Sequence, residues 1–224
     1  MPALNKQHFP ALVMDGSCPH FFTGILNQAA TWSAQRSAIG APLEYLHSSV
    51  ADVLAESAIQ LADIRSFIYC SGPGSILGLR LCAMAIKTWQ FTAPNPVKLW
   101  AYDPLQLAAY QYLESQTIEE NCWIICAWKQ DYWHQVRVHN GCIQSTRVIR
   151  QAELKHYNGP LYYMQQRKKW EQAPGSTRLE FQPENLHQVL ANSQWLRAVS
   201  EAKLSELGQS QFEKWNAQAH HAPA

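Results

Sequence analysis

The sequence predicts an α/β protein of two lobes. Strand-like segments alternate with helix-like segments through the first half of the chain, and three extended segments follow one another in its middle. The composition suits a folded core, because 47% of the 224 residues are hydrophobic and the formal net charge is only +1. Disordered chains instead combine low hydrophobicity with high net charge. At about 100–200 residues per domain, this length is expected to form one domain or two small lobes.

The chain opens with a predicted β-hairpin. An apolar run over residues 9–15 ends at Asp15, and an extended segment covers residues 20–28. Between them, residues 16–19 read Gly-Ser-Cys-Pro, which is typical of a turn between two strands. Asp15 is therefore expected at the end of the first strand.

An amphipathic helix of about five turns is predicted to begin at Pro42, since the first turn of a helix tolerates proline. Its apolar residues recur at a helical period, at Leu43, Leu46, Val50, Val53, Leu54, Ala58 and Leu61. Residues 66–71, Ser-Phe-Ile-Tyr-Cys-Ser, then predict a buried strand, and a second helix is expected to run through Ile86 and Trp89.

Between that strand and the second helix lies the most specific motif of the chain, residues 72–80, Gly-Pro-Gly-Ser-Ile-Leu-Gly-Leu-Arg. A glycine-rich turn before a helix can direct backbone N–H groups and the positive end of the helix dipole at an anion. The spacing matches neither the P-loop nor the Gly-x-Gly-x-x-Gly pattern. Two interpretations stay open, a phosphate site and a tight packing joint. The candidate phosphate-site residues are Asp15, Gly72, Pro73, Gly74, Ser75, Gly78 and Arg80.

The middle of the chain predicts one more strand and helix and then an antiparallel meander. Residues 97–102 form the strand, and Asp103 with Pro104 suits the N-cap and the first position of a helix. The meander comprises residues 122–128, 132–139 and 142–150, with the hairpin signal Asn-Gly at residues 140–141. The tail predicts a strand over 161–164 and a helix over 183–199. The predicted lobes are residues 1–115 and 116–224.

Cysteines, hydropathy and charge narrow the class of protein. The six cysteines lie in apolar segments, so we expect reduced core thiols and no metal site. No apolar run approaches the roughly 20 residues of a membrane helix, and the first residues lack a signal-peptide core, which predicts a cytoplasmic protein. At a net charge of +1, any RNA contact would have to be local. The basic and aromatic residues 167–170 are interpreted as a solvated helix face, so direct tRNA contact is not expected.

Residues 42–90 resemble the TsaB (YeaZ) family. In that family a helix and a strand precede the hallmark Gly-Pro-Gly-Ser-Phe-Thr-Gly-Leu-Arg, and seven of its nine positions match residues 72–80. Residues 13–17, Val-Met-Asp-Gly-Ser, are similar to the family's first strand and its Asp-Thr-Ser turn. The resemblance covers about residues 10–135.

The resemblance implies the actin-like ATPase (hsp70/sugar-kinase) fold, in the group formerly called glycoprotease or peptidase M22. TsaB proteins are non-catalytic paralogues of TsaD, which makes N6-threonylcarbamoyladenosine (t6A) in tRNA. This sequence has no His-x-x-x-His, the metal-binding motif of TsaD. The implied role is therefore a non-catalytic subunit, and a peptidase is not expected. The implied partners are a TsaD-type subunit and TsaE, with ATP or ADP at the partner interface as the candidate cofactor.

In the family, the first helix and the helix after the glycine turn form the dimer face. A homodimer with a lineage-specific role would use the same face. The candidate interface residues are Tyr45, Ser49, Ala83, Met84 and Lys87.

The sequence also departs from the family pattern. Ile76 and Leu77 replace Phe-Thr, which removes a hydroxyl, and residues 127–129, Ala-Trp-Lys, replace an Asp-Ala-Arg-type motif. A nucleotide-dependent enzyme with phosphate at Asp15 and residues 72–75 stays an alternative. The family's closing Pro-x-Tyr-Leu-Arg strand is similar to residues 160–164, which arrive about sixty residues early. We therefore interpret 161–164 as an internal strand and 183–199 as the family's late helix.

Overall fold

The structure is a computed structural model, and it describes residues 4–18, 20–40, 42–129, 131–164, 173–180, 182–190 and 193–205. Its strands are β1 (Ala11–Asp15), β2 (His20–Leu26), β3 (Trp32–Ile39), β4 (Ser66–Cys70), β5 (Lys98–Tyr102), β6 (Cys122–Lys129), β7 (Tyr132–His139), β8 (Cys142–Ile143), β9 (Arg147–Arg150), β10 (Leu161–Met164), β11 (Thr177–Leu179) and β12 (Arg197–Val199). Its helices are α1 (Pro42–Glu56), α2 (Ile76–Thr92), α3 (Pro104–Glu114) and α4 (Leu186–Leu190).

The strands form two sheets of similar design. The first has the order β12-β5-β4-β1-β2-β3, and the second has the order β11-β10-β6-β7-β8, with β9 also paired to β7. The central strand of each sheet, β1 or β6, has an antiparallel hairpin partner on one side and a parallel strand on the other. The second sheet therefore repeats the arrangement of the first.

Helices cover both faces of the first sheet, which explains why its inner strands β1 and β4 read as continuous apolar runs. Leu12 and Met14 of β1 pack in one core cluster with Val53 of α1 and Ile86 of α2. Val13 points to the opposite face, where a second cluster includes residues of α3 and α4. Helix α3 also contributes to the core of the second sheet, so it lies between the two sheets.

Most predicted elements are present near the expected positions. The hairpin β1–β2, the strands β4 and β5 and the helix starts at Pro42 and Pro104 are confirmed. Asn140 and Gly141 join β7 to β8 with backbone φ angles of +49° and +70°, as a tight hairpin turn requires. The internal strand predicted over 161–164 is also confirmed as β10, which lies between β6 and β11.

Strand β3 was not anticipated, and two predicted segments were wrong. Strand β3 lies at the edge of the first sheet with mostly exposed side chains, so it lacks the apolar pattern of a buried strand. The extended segment 142–150 is two short strands, β8 and β9.

The helix predicted over 183–199 is also wrong, because the described residues of that range form two 3₁₀ turns, the short helix α4 and the strand β12. Leu186 and Leu196 are both buried. Strand β12 is held by backbone hydrogen bonds to the edge of β5, and side-chain periodicity carries no signal of such pairing. β12 lies in the first sheet although the predicted boundary at residues 115 and 116 assigns it to the second lobe.

Two findings concern the predicted environment of the chain. All six cysteines are free, and Cys70, Cys82, Cys122 and Cys126 are buried, whereas Cys18 is half-buried and Cys142 is exposed. Among the described residues, no helix combines the length and the hydropathy that crossing a membrane would need.

Candidate functional site

The glycine-rich turn after β4 packs backbone to backbone against the turn after β1. The Ser75 N–H donates to the carbonyl oxygen of Ser17 at 2.7 Å. A Cβ added to Gly78 would lie 2.1 Å from the carbonyl oxygen of Gly16, and one added to Gly74 would lie 2.5 Å from Cβ of Ser17. The glycines are therefore needed for close approach of the two turns, which favours the packing joint over the phosphate site.

Two other motif residues support the same turn. Gly72 has a backbone φ of +108°, which favours glycine because other residues rarely adopt this region. Pro73, next in the turn, is buried. Together they reverse the chain between the end of β4 and the start of α2.

Asp15 is buried at the end of β1, and both of its carboxylate oxygens accept hydrogen bonds from within the chain. Oδ1 accepts from the backbone N–H of Ser17 at 2.7 Å, and Oδ2 accepts from the hydroxyl of Tyr102 at 2.6 Å. Burial raises the pKa of Asp15, while the hydrogen bonds from Ser17 and Tyr102 act in the opposite direction. Asp15 thus links β1 to the end of β5.

The start of α2 presents apolar side chains to the surface. Ser75 is its N-cap residue but makes no side-chain capping hydrogen bond. Ile76 and Leu77, the two departures from the family hallmark, are 43% and 62% exposed. Arg80 is exposed one turn further along the helix. This surface is better suited to contact with an apolar partner than to binding phosphate.

The five predicted interface residues have different environments. Met84 and Lys87 are exposed, and Lys87 Nζ lies 2.6 Å from a carboxylate oxygen of Glu201. Tyr45 is partly buried against the core of the first sheet. Ser49 and Ala83, by contrast, are buried within the chain. Helix α2 carries apolar residues around most of its circumference, so sequence periodicity could not separate its inner face from its outer one.

Three large apolar residues of α2 form an exposed row that we call the α2 stripe. Leu77, Met84 and Phe91 are 62%, 65% and 91% exposed. They are spaced by seven residues, about two helical turns, so they share one face of the helix. Leu43, at the start of the neighbouring helix α1, is also exposed. The regular spacing of Leu77 and Phe91 from Met84 was a sequence signal that would have identified them.

A cavity of about 1080 Å³ lies at the carboxyl ends of β4 and β5. Its lining includes Gly72, Asp103 and Arg197 from the first sheet and its loops, and Thr146 from the loop between β8 and β9. Asp103 caps α3, because its Oδ1 accepts from the backbone N–H groups of the next turn at 2.8 and 3.2 Å. Burial raises the pKa of Asp103 to about 6.

The segment after β12 closes one side of this cavity. The Tyr69 hydroxyl donates to the carbonyl oxygen of Lys203 at 3.0 Å and accepts from its N–H at 2.9 Å. The Ser205 N–H then donates to the carbonyl oxygen of Ser71 at 2.7 Å. Residues 203–205 therefore cross the end of β4, a contact between distant segments that sequence patterns did not reveal. Among the described residues, no group of three His, Cys, Asp or Glu side chains is placed to hold a metal ion.

Two solved structures share this arrangement of sheets and helices. YeaZ from Pseudomonas aeruginosa matches with a TM-score of 0.55 and 17% identity, over 69% of this chain and 74% of that chain. The chain has the fold of YeaZ. A second structure, described as an uncharacterized protein with similarity to peptidase YeaZ from Pseudomonas aeruginosa, matches with a TM-score of 0.63 and 16% identity, over 88% of this chain and 99% of that chain. Neither a family model nor a curated protein matches the sequence.

The match to YeaZ confirms the resemblance at the level of fold. The actin-like architecture expected from the resemblance is confirmed by the same match and by the two similar mixed sheets with α3 between them. At 16–17% identity the likeness concerns the fold alone, and the role of the chain must be argued from its own surface.

Proposed function

We propose that this protein is a non-catalytic, TsaB-like subunit that docks a TsaD-type partner in the formation of t6A in tRNA. The α2 stripe is the observation that carries the proposal, because it is a row of large apolar side chains on the surface of a chain with the YeaZ fold. TsaE would join this assembly as a further partner. The cytoplasm, where tRNA modification takes place, is the expected compartment.

The stripe has the chemistry of a protein–protein contact. Complete burial of a Leu, Met or Phe side chain contributes about 1.5–3 kcal/mol. Side chains that recur every two turns on one helix can pack into the grooves of a partner helix. Arg80 and Lys87 border the stripe and provide the polar rim that such interfaces have.

The glycine-rich turn would then serve the interface through geometry. Gly16 and Gly78 are in such close contact that the first turn of α2 is tied to the end of β1. The position of α2, and with it the direction of the stripe, depends on this contact. The hallmark residues therefore support docking by positioning α2.

The test is co-elution of the purified protein with the TsaD protein of the same organism, with and without ATP. We expect a one-to-one complex that Met84→Glu abolishes, because a carboxylate in the centre of an apolar contact must be desolvated. Gln151→Glu is the matched control, since it adds a negative charge at an exposed position of the second lobe. Absence of a complex in both conditions would refute the proposal. Dimers of the protein alone that Met84→Glu dissociates would favour the homodimer instead.

Nucleotide binding is a second candidate, favoured by the cavity at the carboxyl ends of β4 and β5. In open α/β sheets, ligands bind in crevices at this edge, and about 1080 Å³ is ample for a small ligand. A ligand at 100 times its dissociation constant adds about 2.7 kcal/mol to stability. ATP or ADP would therefore raise the melting temperature. An unchanged melting temperature at millimolar nucleotide would count against this candidate.

A further inference from the structure

The near-neutral charge of the whole chain conceals a strong separation of charge. Residues 122–180, which contain strands β6–β11, carry nine Lys or Arg and four Asp or Glu, a net charge of +5. The rest of the chain carries nine basic and thirteen acidic residues, a net charge of −4. This stretch of the sequence is thus basic, and net charge no longer argues against a polyanionic ligand for this part of the chain.

The same lobe presents a stacked pair of aromatic rings beside arginine. The Trp123 and Tyr157 rings are stacked, with centroids 4.9 Å apart and an angle of 18° between their planes. The Arg137 guanidinium lies 5.9 Å from the Trp123 ring centroid, within the range of a cation–π contact. Trp123 and Tyr157 are half-buried, and Arg137 is exposed. The two rings therefore support each other and remain partly exposed.

A second arginine is held at the other end of this group. Arg147 Nε donates to the side-chain oxygen of Gln135 at 2.6 Å, and its Nη2 donates to the hydroxyl of Tyr157 at 3.5 Å. Gln135 and Arg147 are opposite each other in the β7–β9 pair, and Arg137 follows Gln135 by two residues on β7. Both arginines consequently project from the same face of the sheet.

We propose that this aromatic–arginine surface, formed by Trp123, Arg137, Arg147 and Tyr157, binds an unpaired stretch of RNA. Flat aromatic side chains stack on bases that are free of a duplex, and arginines bind the adjoining phosphates. A duplex hides the faces of its bases, so the surface discriminates against paired RNA. The choice of RNA rests on the proposed function, whose partner acts on tRNA. The expectation that this surface binds a polyanion with unpaired bases rests only on its arginines and aromatic rings.

The experiment measures fluorescence anisotropy of a labelled RNA hairpin with an open loop, using the purified protein without any partner. We expect saturable binding that is weaker for a blunt RNA duplex and for a DNA hairpin of the same sequence. Arg137→Gln combined with Arg147→Gln should weaken binding about tenfold and reduce its salt dependence. Trp123→Leu should weaken binding at least about fivefold, and Trp123→Phe should retain most of it because a ring is kept.

Arg36→Gln is the matched control, because it removes one positive charge from the exposed strand β3 of the first sheet. This variant should change the dissociation constant by less than about twofold. Equal binding of duplex, DNA or polyglutamate, or equal weakening by Arg36→Gln, would overturn the proposal. Thermal unfolding checks that each variant is folded, and Tyr157→Leu replaces Trp123→Leu if the latter is not. RNA binding here needs no TsaD, so its failure is distinguishable from failure of the co-elution test.

Discussion

Replacing Gly78 by alanine tests whether the glycine-rich turn is a packing joint. The new Cβ would lie 2.1 Å from the carbonyl oxygen of Gly16 and 3.0 Å from Cγ of Pro42. The first of these contacts is with backbone, so relief requires movement of α2 or of the turn after β1. Overpacking of this kind costs about 1–3 kcal/mol. In an ordinary helical position the same substitution would stabilise by about 0.5–1 kcal/mol, so the predicted sign is opposite to that of helix propensity.

The assay is urea unfolding of the wild type, Gly78→Ala and the neighbouring control Leu77→Ala. We expect Gly78→Ala to lower the free energy of unfolding by about 1–3 kcal/mol, a shift of the midpoint by roughly 1 M if the slope is about 1–3 kcal/mol per molar. Leu77→Ala removes an exposed side chain and should stay within about 0.5 kcal/mol of wild type. It should nevertheless weaken partner binding, because Leu77 belongs to the α2 stripe.

A Gly78→Ala protein as stable as wild type would refute the packing joint. Loss of a nucleotide-induced rise in melting temperature at unchanged stability would instead favour the phosphate site. If the turn is a packing joint, the free energy of unfolding of Gly78→Ala falls, and partner binding weakens because α2 is displaced. The two interpretations of the motif thus differ in both measurements.

Three further predictions concern titration and the segment after β12. Burial raises the pKa of Asp103 to about 6, so its folded form binds the proton more tightly, and its contribution to stability is lost as pH rises from about 4 to 6. Relative to Asp103→Asn, the free energy of unfolding of the wild type should fall by about 2 kcal/mol over this pH interval, as measured by urea unfolding at each pH. If the two proteins show parallel profiles of stability against pH, the assignment to Asp103 is contradicted. Burial lowers the pKa of His134 to about 4, so the contribution of its neutral form to stability is lost as pH falls below about 6.5. His134→Gln should therefore make the free energy of unfolding fall less steeply at acid pH. An unchanged slope would show that His134 is not the cause of the acid destabilisation. Tyr69→Phe removes both hydrogen bonds to the backbone of Lys203. Amide hydrogen exchange at residues 203–205 should therefore accelerate while exchange in β1 stays slow. Equal acceleration in both segments would indicate global destabilisation and contradict the prediction.

The functional surfaces differed in how far the sequence could predict them. Residues 72–80 were recognised, but their spacing is compatible with both a phosphate site and a joint. The contact of Gly78 with Gly16 favours the joint, and it joins segments about sixty residues apart. Ser49 and Ala83 were assigned to the surface, yet they are buried. The burial of a small residue on an apolar helix depends on what packs against it.

The region predicted as a helix over 183–199 shows the same limit. Its residues 197–199 form the strand β12. The leucine spacing of this region instead predicted one long helix. Pairing with the edge of β5 outweighed that local preference, because an edge strand offers unpaired backbone donors and acceptors to any extended segment nearby.

The sequence by itself determined the hairpins, the strand–helix alternation and the hallmark turn, because apolar periodicity, proline and glycine act on neighbouring residues. Only the tertiary structure decided that both oxygens of Asp15 are occupied by Ser17 and Tyr102, and that the α2 stripe is exposed. It also brought Trp123, Arg137 and Tyr157 together from three separate segments. The physical reason is that accessibility and hydrogen-bond partners belong to pairs of residues distant in sequence, which a local pattern does not encode.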